Sequence, residues 1–346
     1  MWFCASSFRS IDFALSSMSN SHIQTVAVLT QYNARSLNEH LSSSKWWNFG
    51  RKQGGLFLFT PTVTADNSDW YRGTADAMYQ NIDFLKRRHE PYVIISSGDC
   101  VYKLDFNRVL DFHIEKKSDI TVVCKDMMYN DDVSRFGVVR MDDESRITEF
   151  DEKPIEASSN TISTGIYVIR RRQLIELLEA AAEENRFDFV NDILVRYKNV
   201  KKIYGYKINS YWNNIADIDA YFKTNMDFLR PDVRSYFFRE EPTICSKVDD
   251  LPPAKFNPGS DISNSLVSSG CIINGSVEDS VLFKQVFVGK NTTVKNCVLL
   301  NDVYIGDNVH LENCIVESRG TINPNTCYCG EDGVMIVKEK NVRYVI

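Results

Sequence analysis

The chain has 346 residues, 43% hydrophobic and 25% charged, with a formal net charge of −6 and a pI near 5.5. That length is enough for two domains, each with its own core. The acidic balance argues against a nucleic-acid partner, which would need a basic face, and no apolar run approaches the roughly 20 residues of a membrane helix.

The opening Met1-Trp2-Phe3-Cys4-Ala5 is too short for a signal peptide, and Arg9 and Asp12 interrupt it early. Nine cysteines, an odd number with no CxxC pair, read as reduced thiols in a cytoplasm. Cys327-Tyr328-Cys329 is a poor zinc half-site, since no second pair accompanies it.

Ile11, Leu15 and Met18 share one side of an amphipathic helix over 9–18. A buried strand over 25–30 and a short helix over 34–41 follow. A doubly wound domain normally opens with a strand, a glycine-rich turn and a helix. Here the sequence starts about where that opening finishes, so either the fold starts unconventionally or an opening segment is missing.

From Trp46 to Asp69 there are few regular signals. Thr74, within Trp70-Tyr71-Arg72-Gly73-Thr74-Ala75-Asp76-Ala77, is the expected N-cap of a helix running to Arg87. The β-branched run after Tyr92 reads as a buried parallel strand ending in Gly98-Asp99. Ligands gather beyond the carboxyl ends of such strands, and a carboxylate there can hold a hard cation such as Mg²⁺. The plainer alternative is that Asp99 caps the next helix, over 106–116. A further buried strand over 120–124 completes an α/β alternation.

Two strands within 136–150 flank Asp142-Asp143-Glu144-Ser145 as a hairpin, with Glu152-Lys153-Pro154 immediately after. A strand over 164–169, a helix over 171–182, a strand over 204–208 and a helix over 218–228 complete a domain spanning 1–229. Residues 230–262 hold five of the nine prolines and no lasting periodicity, which reads as a linker. Over 263–346 the pattern repeats. Val288-Gly289-Lys290-Asn291 returns seventeen residues later as Ile305-Gly306-Asp307-Asn308. Leu282, Val288, Val294, Leu299, Ile305, Leu311, Val316 and Ile322 lie five or six apart, which is the spacing of a parallel β-helix with one inward aliphatic per face.

These motifs, together with Phe8-Arg9-Ser10-Ile11-Asp12-Phe13-Ala14-Leu15-Ser16, Gly98-Asp99-Cys100-Val101-Tyr102-Lys103-Leu104-Asp105, Phe136-Gly137-Val138, Gly165-Ile166-Tyr167-Val168 and Leu251-Pro252-Pro253-Ala254-Lys255-Phe256, closely resemble the glucose-1-phosphate adenylyltransferases (ADP-glucose pyrophosphorylases). More widely, the chain is similar to the sugar-1-phosphate nucleotidyltransferases. The resemblance implies a doubly wound, Rossmann-like nucleotidyltransferase domain followed by a left-handed parallel β-helix. It also implies attack of a sugar phosphate on the α-phosphorus of ATP with release of pyrophosphate. By that resemblance Asp99 would be a Mg²⁺ ligand, and Lys153 would hold the phosphate of glucose 1-phosphate. Glu152, Thr164, Gly165 and Tyr167 would face the glucose, with Tyr71, Gly73 and Thr74 beside the nucleotide.

The departures from the family pattern fall together. The glycine-rich opening loop is not in this sequence. Tyr211-Trp212-Asn213-Asn214 stands where the family has Tyr-Trp-Arg-Asp, so Asn214 replaces the second metal ligand by a neutral amide. Asp188-Phe189-Val190-Asn191-Asp192 stands for Asp-Phe-Gly-Lys-Asp, which removes another cation. With phosphate and metal handling depleted and the sugar side kept, the chain looks like the GlgD-type regulatory branch, with Asp99 a relic of catalysis. The resemblance implies a GlgC-type catalytic partner in a heterotetramer, or a homo-oligomer, and effector positions at Arg9 and Arg319. The alternative is an active adenylyltransferase whose opening segment is absent from this sequence. A hexapeptide-repeat acyltransferase is set aside, because the repeats offer only His310 as a basic residue at a coil seam.

Overall fold

The computed structural model describes residues 3–50, 54–62, 70–128 and 132–340. Met1 and Trp2 of the opening, and 51–53 and 63–69 of the stretch expected to be irregular, lie outside the described residues. In chain order the elements are β1 (Phe3–Cys4), β2 (Phe8–Arg9), α1 (Ser10–Asn20), β3 (Thr25–Leu29), α2 (Ala34–Leu41), β4 (Gly55–Phe59), α3 (Thr74–Gln80) and α4 (Ile82–Lys86). Then come β5 (Tyr92–Ser96), β6 (Cys100–Tyr102), α5 (Phe106–Glu115), β7 (Ile120–Asp126), β8 (Gly137–Met141), β9 (Ile147–Glu152), β10 (Thr161–Arg170) and α6 (Arg171–Glu183). After a π-helical turn at Val190–Val195 follow β11 (Ile203–Lys207), β12 (Trp212–Asn214), α7 (Ile218–Asp227) and α8 (Pro231–Phe238). Among the described residues no helix is long and apolar enough to cross a membrane.

The contacts divide the chain into two compact units that do not follow the order of the sequence. One, the sheet unit, holds Ser17–Ser97 and Leu104–Ser210. The other, the solenoid unit, holds Met1–Ser16, Gly98–Lys103 and Tyr211–Ile346.

The sheet unit is mixed α/β. Its main sheet runs β11-β7-β10-β8-β9, with β5 also on β10. Only β7 and β11 pair in parallel there, while β3 and β4 form a separate parallel pair. Leu174, Leu177, Leu178 and Ala181 give α6 one apolar face at i, i+3, i+4 and i+7. Its three leucines join Ile120, Val122, Tyr167 and Ile169 in one buried cluster. Each such aliphatic contributes about 1.5–3 kcal/mol by leaving water.

Several expectations are corrected in this unit. β5 is antiparallel to β10 and only half-buried, because an apolar run reports burial but not the direction of the neighbour. The helix expected from Thr74 to Arg87 is two helices. It breaks at Asn81, whose Nδ2 donates to Ala77 O at 2.9 Å and Tyr71 Oη at 3.0 Å. Thr74 is the first residue of α3 rather than its cap, and its Oγ1 accepts from Phe189 N–H at 3.0 Å. The cap of α5 is Asp105, which accepts from Asn107 N–H at 3.0 Å, so Asp99 does not fill that role.

In the solenoid unit, three sheets of five short parallel strands stack coil on coil. The register Leu282↔Leu299↔Val316, Val288↔Ile305↔Ile322 and Val294↔Leu311 keeps each inward column in line, and all eight residues are buried. One corner of each coil needs a left-handed residue, and Asn291, Asn308 and Asn325 supply it at φ 55°, 58° and 62°. Their amides form a ladder, Asn291 to Asn308 at 3.2 Å and Asn308 to Asn325 at 3.0 Å. At Gly289 an added Cβ would lie 2.4 Å from Gly306 O, which is why that coil carries glycine.

The segment expected as a linker opens with a helix, α8, and then carries no helix or strand before Lys255. Pro231 sits at the start of α8, where a missing N–H costs nothing, and Val233 and Phe237 are buried. The first coil begins at Lys255–Phe256, pairing with Ile272–Ile273. One solenoid sheet is apolar on both sides. Leu282, Leu299 and Val316 point inward, while Val281, Phe283, Val298 and Ile315 cluster with Phe13, Phe228, Val233 and Phe237.

Candidate functional site

In the sheet unit, β9 ends at Glu152 with Lys153 just beyond it; β8 lies between β9 and β10, and β10 shifts register against β7 between Ser163 and Tyr167. Lys153 takes φ +49°, a left-handed conformation that costs a non-glycine residue about 1–2 kcal/mol. Its backbone N–H donates to Phe136 O at 3.1 Å, and its ammonium, two-thirds exposed, lies 4.0 Å from Glu152 Oε1. Glu152 is half-buried. Burial raises its carboxyl above the ordinary value, Lys153 opposes the shift and Asp188 adds to it. An acid poised beside a free-reaching ammonium is a pairing suited to a polyhydroxy anion.

The neighbouring positions divide. Gly165 takes φ +76° at the bulge, and its carbonyl accepts from Ser97 N–H at 3.1 Å. Thr164 and Tyr167 turn inward. The Thr164 hydroxyl donates to Val123 O at 2.9 Å, and Tyr167 Oη lies 3.3 Å from Ser163 Oγ, with its ring 5.3 Å from that of Phe189. Burial pushes the Tyr167 phenol far above its usual range, so it stays protonated.

The Tyr71–Thr74 stretch docks on the loop after α6. Phe187 O accepts from Ala75 N–H at 2.8 Å and Asp76 N–H at 3.2 Å, and a Cβ on Gly73 would stand 2.3 Å from it. Arg72 lies over the Phe187 ring at 3.8 Å and pairs with the buried Asp76 at 3.3 Å. Asp192 accepts from Phe187 N–H and Asp188 N–H at 3.0 and 2.9 Å, and the Asp188 carboxylate accepts from Asn191 N–H at 2.7 Å. Sequence reasoning had Asp188 only within a motif; its charge adds to the upward shift at Glu152 through a loop whose path no periodicity encodes. Asn191 is exposed.

In the solenoid unit, β6 and β12 pair antiparallel with Asn214 opposite Cys100. Ile215 N–H donates to Asp99 O at 2.9 Å, so the pairing extends to the strand tip. Cys100 Sγ lies 3.5 Å from Asp99 Oδ1 and 3.5 Å from Asn214 Nδ2, and the two tip positions flank it. Asn214 Oδ1 accepts from Ala216 N–H at 3.0 Å. Burial, with Asp99 adding to it, pushes the Cys100 thiol up, so it stays protonated. Asn213 points the other way, donating to Tyr211 Oη at 2.8 Å and Asp227 at 3.3 Å.

The two effector candidates also lie in this unit. Arg9 is half-buried on β2, its N–H donating to Asp12 at 2.8 Å. Arg319 is exposed at a left-handed corner, φ 62°, in the column of Gln285 and Asp302.

Comparison with known proteins supplies the family. Residues 3–230 match the model for nucleotidyl transferases, and residues 252–337 match that for the GlmU-like C-terminal hexapeptide. The glucose-1-phosphate adenylyltransferase of Clostridium novyi (strain NT) is 38% identical over 288 residues, 82% of this chain and 75% of that protein. The protein of the same name from Bacillus subtilis (strain 168) is 36% identical over 289 residues, 83% of this chain and 76% of its own. That from Pseudothermotoga lettingae is 38% identical over 287 residues, 82% and 68%. The chain belongs to the glucose-1-phosphate adenylyltransferase family. Within that family, Mg²⁺ is the ion to test against the strand tips. The Asp99–Asn214 pair offers one carboxylate. The Asn214 oxygen is taken by Ala216 N–H, and the amide nitrogen faces Cys100. A hard cation that needs anionic oxygen does not fit a pair whose second member presents N–H.

Proposed function

We propose that the chain is a regulatory subunit of an ADP-glucose pyrophosphorylase, binding glucose 1-phosphate and turning over little or none of it alone. The family and the names of its relatives give the reaction: glucose 1-phosphate and ATP to ADP-glucose and pyrophosphate. Asn214 beside Asp99 carries the regulatory reading. A phosphoryl-handling site works by neutralising charge, and one anionic ligand fewer weakens that step. Glu152 and Lys153 support sugar-phosphate binding, the ammonium toward phosphate and the carboxylate accepting sugar hydroxyls. Arg9 and Arg319 are the proposed effector contacts, and a GlgC-type chain is the proposed partner.

The second reading, an active adenylyltransferase, draws on the same Glu152–Lys153 pairing and on Asp99 at a strand tip. That reading supposes an opening segment absent from this sequence, so pyrophosphate release by the chain with a family opening segment restored separates the two. The chain alone is expected to be at least ~10³-fold slower than a GlgC-type subunit, the scale of one lost charge clamp on a phosphoryl group. Co-expression with such a subunit is expected to alter its effector response, while glucose 1-phosphate binding to the chain persists. Ordinary turnover by the unpartnered chain would overturn the regulatory reading.

A further inference from the structure

The seventeen-residue register of the solenoid sets His310 opposite Cys327 and Glu312 opposite Cys329 on adjacent parallel strands. Residues two apart on a strand share a face, so these four stand as a two-by-two array, with Leu311 and Tyr328 on the other side. The ligand atoms of His310, Glu312 and Cys329 all lie within 4.8 Å of one another, and among the described residues they are the one such group of three. His310 Nε2 lies 3.7 Å from Glu312 Oε2, and Cys327 Sγ lies 3.6 Å from Cys329 Sγ.

Tetrahedral Zn²⁺ with Zn–S of about 2.3 Å separates its sulfurs by roughly 3.8 Å, close to what the two thiols already show. The repeat does not require these residue types. The same columns hold Thr293 and Lys295 one coil earlier, and Ser276 and Glu278 before that. The array is half-exposed, so a metal can reach it from solvent.

We propose that the outer face of the last coils holds a zinc-type metal ion through Cys327, Cys329, His310 and Glu312. Two thiols, an imidazole and a carboxylate suit Zn²⁺ and disfavour hard ions such as Mg²⁺. On binding, each thiol that becomes a ligand releases its proton to solvent, and no oxidant or reductant is involved. The rigid stack beneath the site fixes the ligands, and the ion would clamp the final two coils together. The site is independent of the adenylyltransferase reading, since none of its residues belongs to the sugar or strand-tip clusters.

The test is Co²⁺ titration of the full chain, stripped with a chelator and kept reduced, followed by Zn²⁺ competition. Expected are one Co²⁺ per chain, thiolate-to-cobalt charge-transfer bands, tetrahedral visible bands and their loss on adding Zn²⁺. Cys329→Ser and His310→Ala should each weaken Co²⁺ binding at least ~10-fold, and Cys245→Ser, at an exposed cysteine elsewhere, should not. Circular dichroism confirms that the variants fold. A spectrum without thiolate bands, or Cys329→Ser binding like the parent, would overturn the proposal. So would thiol counting that finds Cys327 and Cys329 joined as a disulfide in the protein as isolated.

Discussion

Glu152 shows most directly what this chain gives up for its candidate ligand. Burial raises its carboxyl above the ordinary value, so the folded chain binds that proton more readily than the unfolded chain. The stability from this group is full in acid and is lost as pH rises through the raised value. Glu152→Gln keeps the shape and drops the charge. It is expected to match the parent's melting temperature in acid and exceed it near neutrality, as a thermal-melt series against pH will show. The same variant should bind glucose 1-phosphate about 10–100-fold more weakly, the equivalent of one charge-assisted hydrogen bond. A site residue that destabilises its fold is a common sign of ligand use. At this scale the sequence was legible in motifs, at Asp99, Lys153 and Asn214; Asn214 stands on a strand, β12, whereas Asp99 and Lys153 stand just outside the strands β6 and β9. It was not legible for Thr164 and Tyr167, whose motif positions said nothing of their turning inward to Val123 and Ser163.

Among elements, contact between α3 and the loop after α6 decides how the Tyr71–Thr74 stretch is held. Phe187 O already accepts from two amides and cannot retreat from a new methyl group. Gly73→Ala is therefore expected to cost roughly 1–3 kcal/mol, read from the urea midpoint at unchanged slope. Element existence was well encoded: α2, α5, α6 and α7 begin and end within a residue or two of their apolar periodicity. Pairing direction was not, because β5 carries the same residues whether its neighbour runs parallel or antiparallel. The break at Asn81 escaped for a similar reason, since an amide that bonds back to Ala77 O leaves no mark on the apolar spacing. Proline misled in 230–262, where Pro231 begins a helix instead of preventing one.

Across the whole molecule, the seventeen-residue period was the most transparent signal, because each inward column repeats one requirement at one interval. The doublets Val281-Leu282, Val298-Leu299 and Ile315-Val316 also held a second message: one strand of each coil is buried on both faces. The solenoid severed from the chain, as 252–340, is expected to self-associate through Val281, Phe283, Val298 and Ile315. Replacing Val281, Val298 and Ile315 by threonine in that fragment should restore a monodisperse species by light scattering, since the inward columns are untouched. An isolated fragment that is monodisperse without those changes would show that the outer face needs no cover.

Besides nearby Phe8, the Phe13 ring contacts Phe228 and Phe237 at 6.1 and 5.4 Å, more than 200 positions further along the chain. During synthesis at about 5–20 residues per second, the first helix must wait some 10–45 s for those partners to leave the ribosome. For that interval its apolar face is open to chaperones and to neighbouring nascent chains. The first helix thus depends on residues well past the midpoint of the chain, and synonymous changes that slow translation between these points should lower soluble yield without altering a single residue.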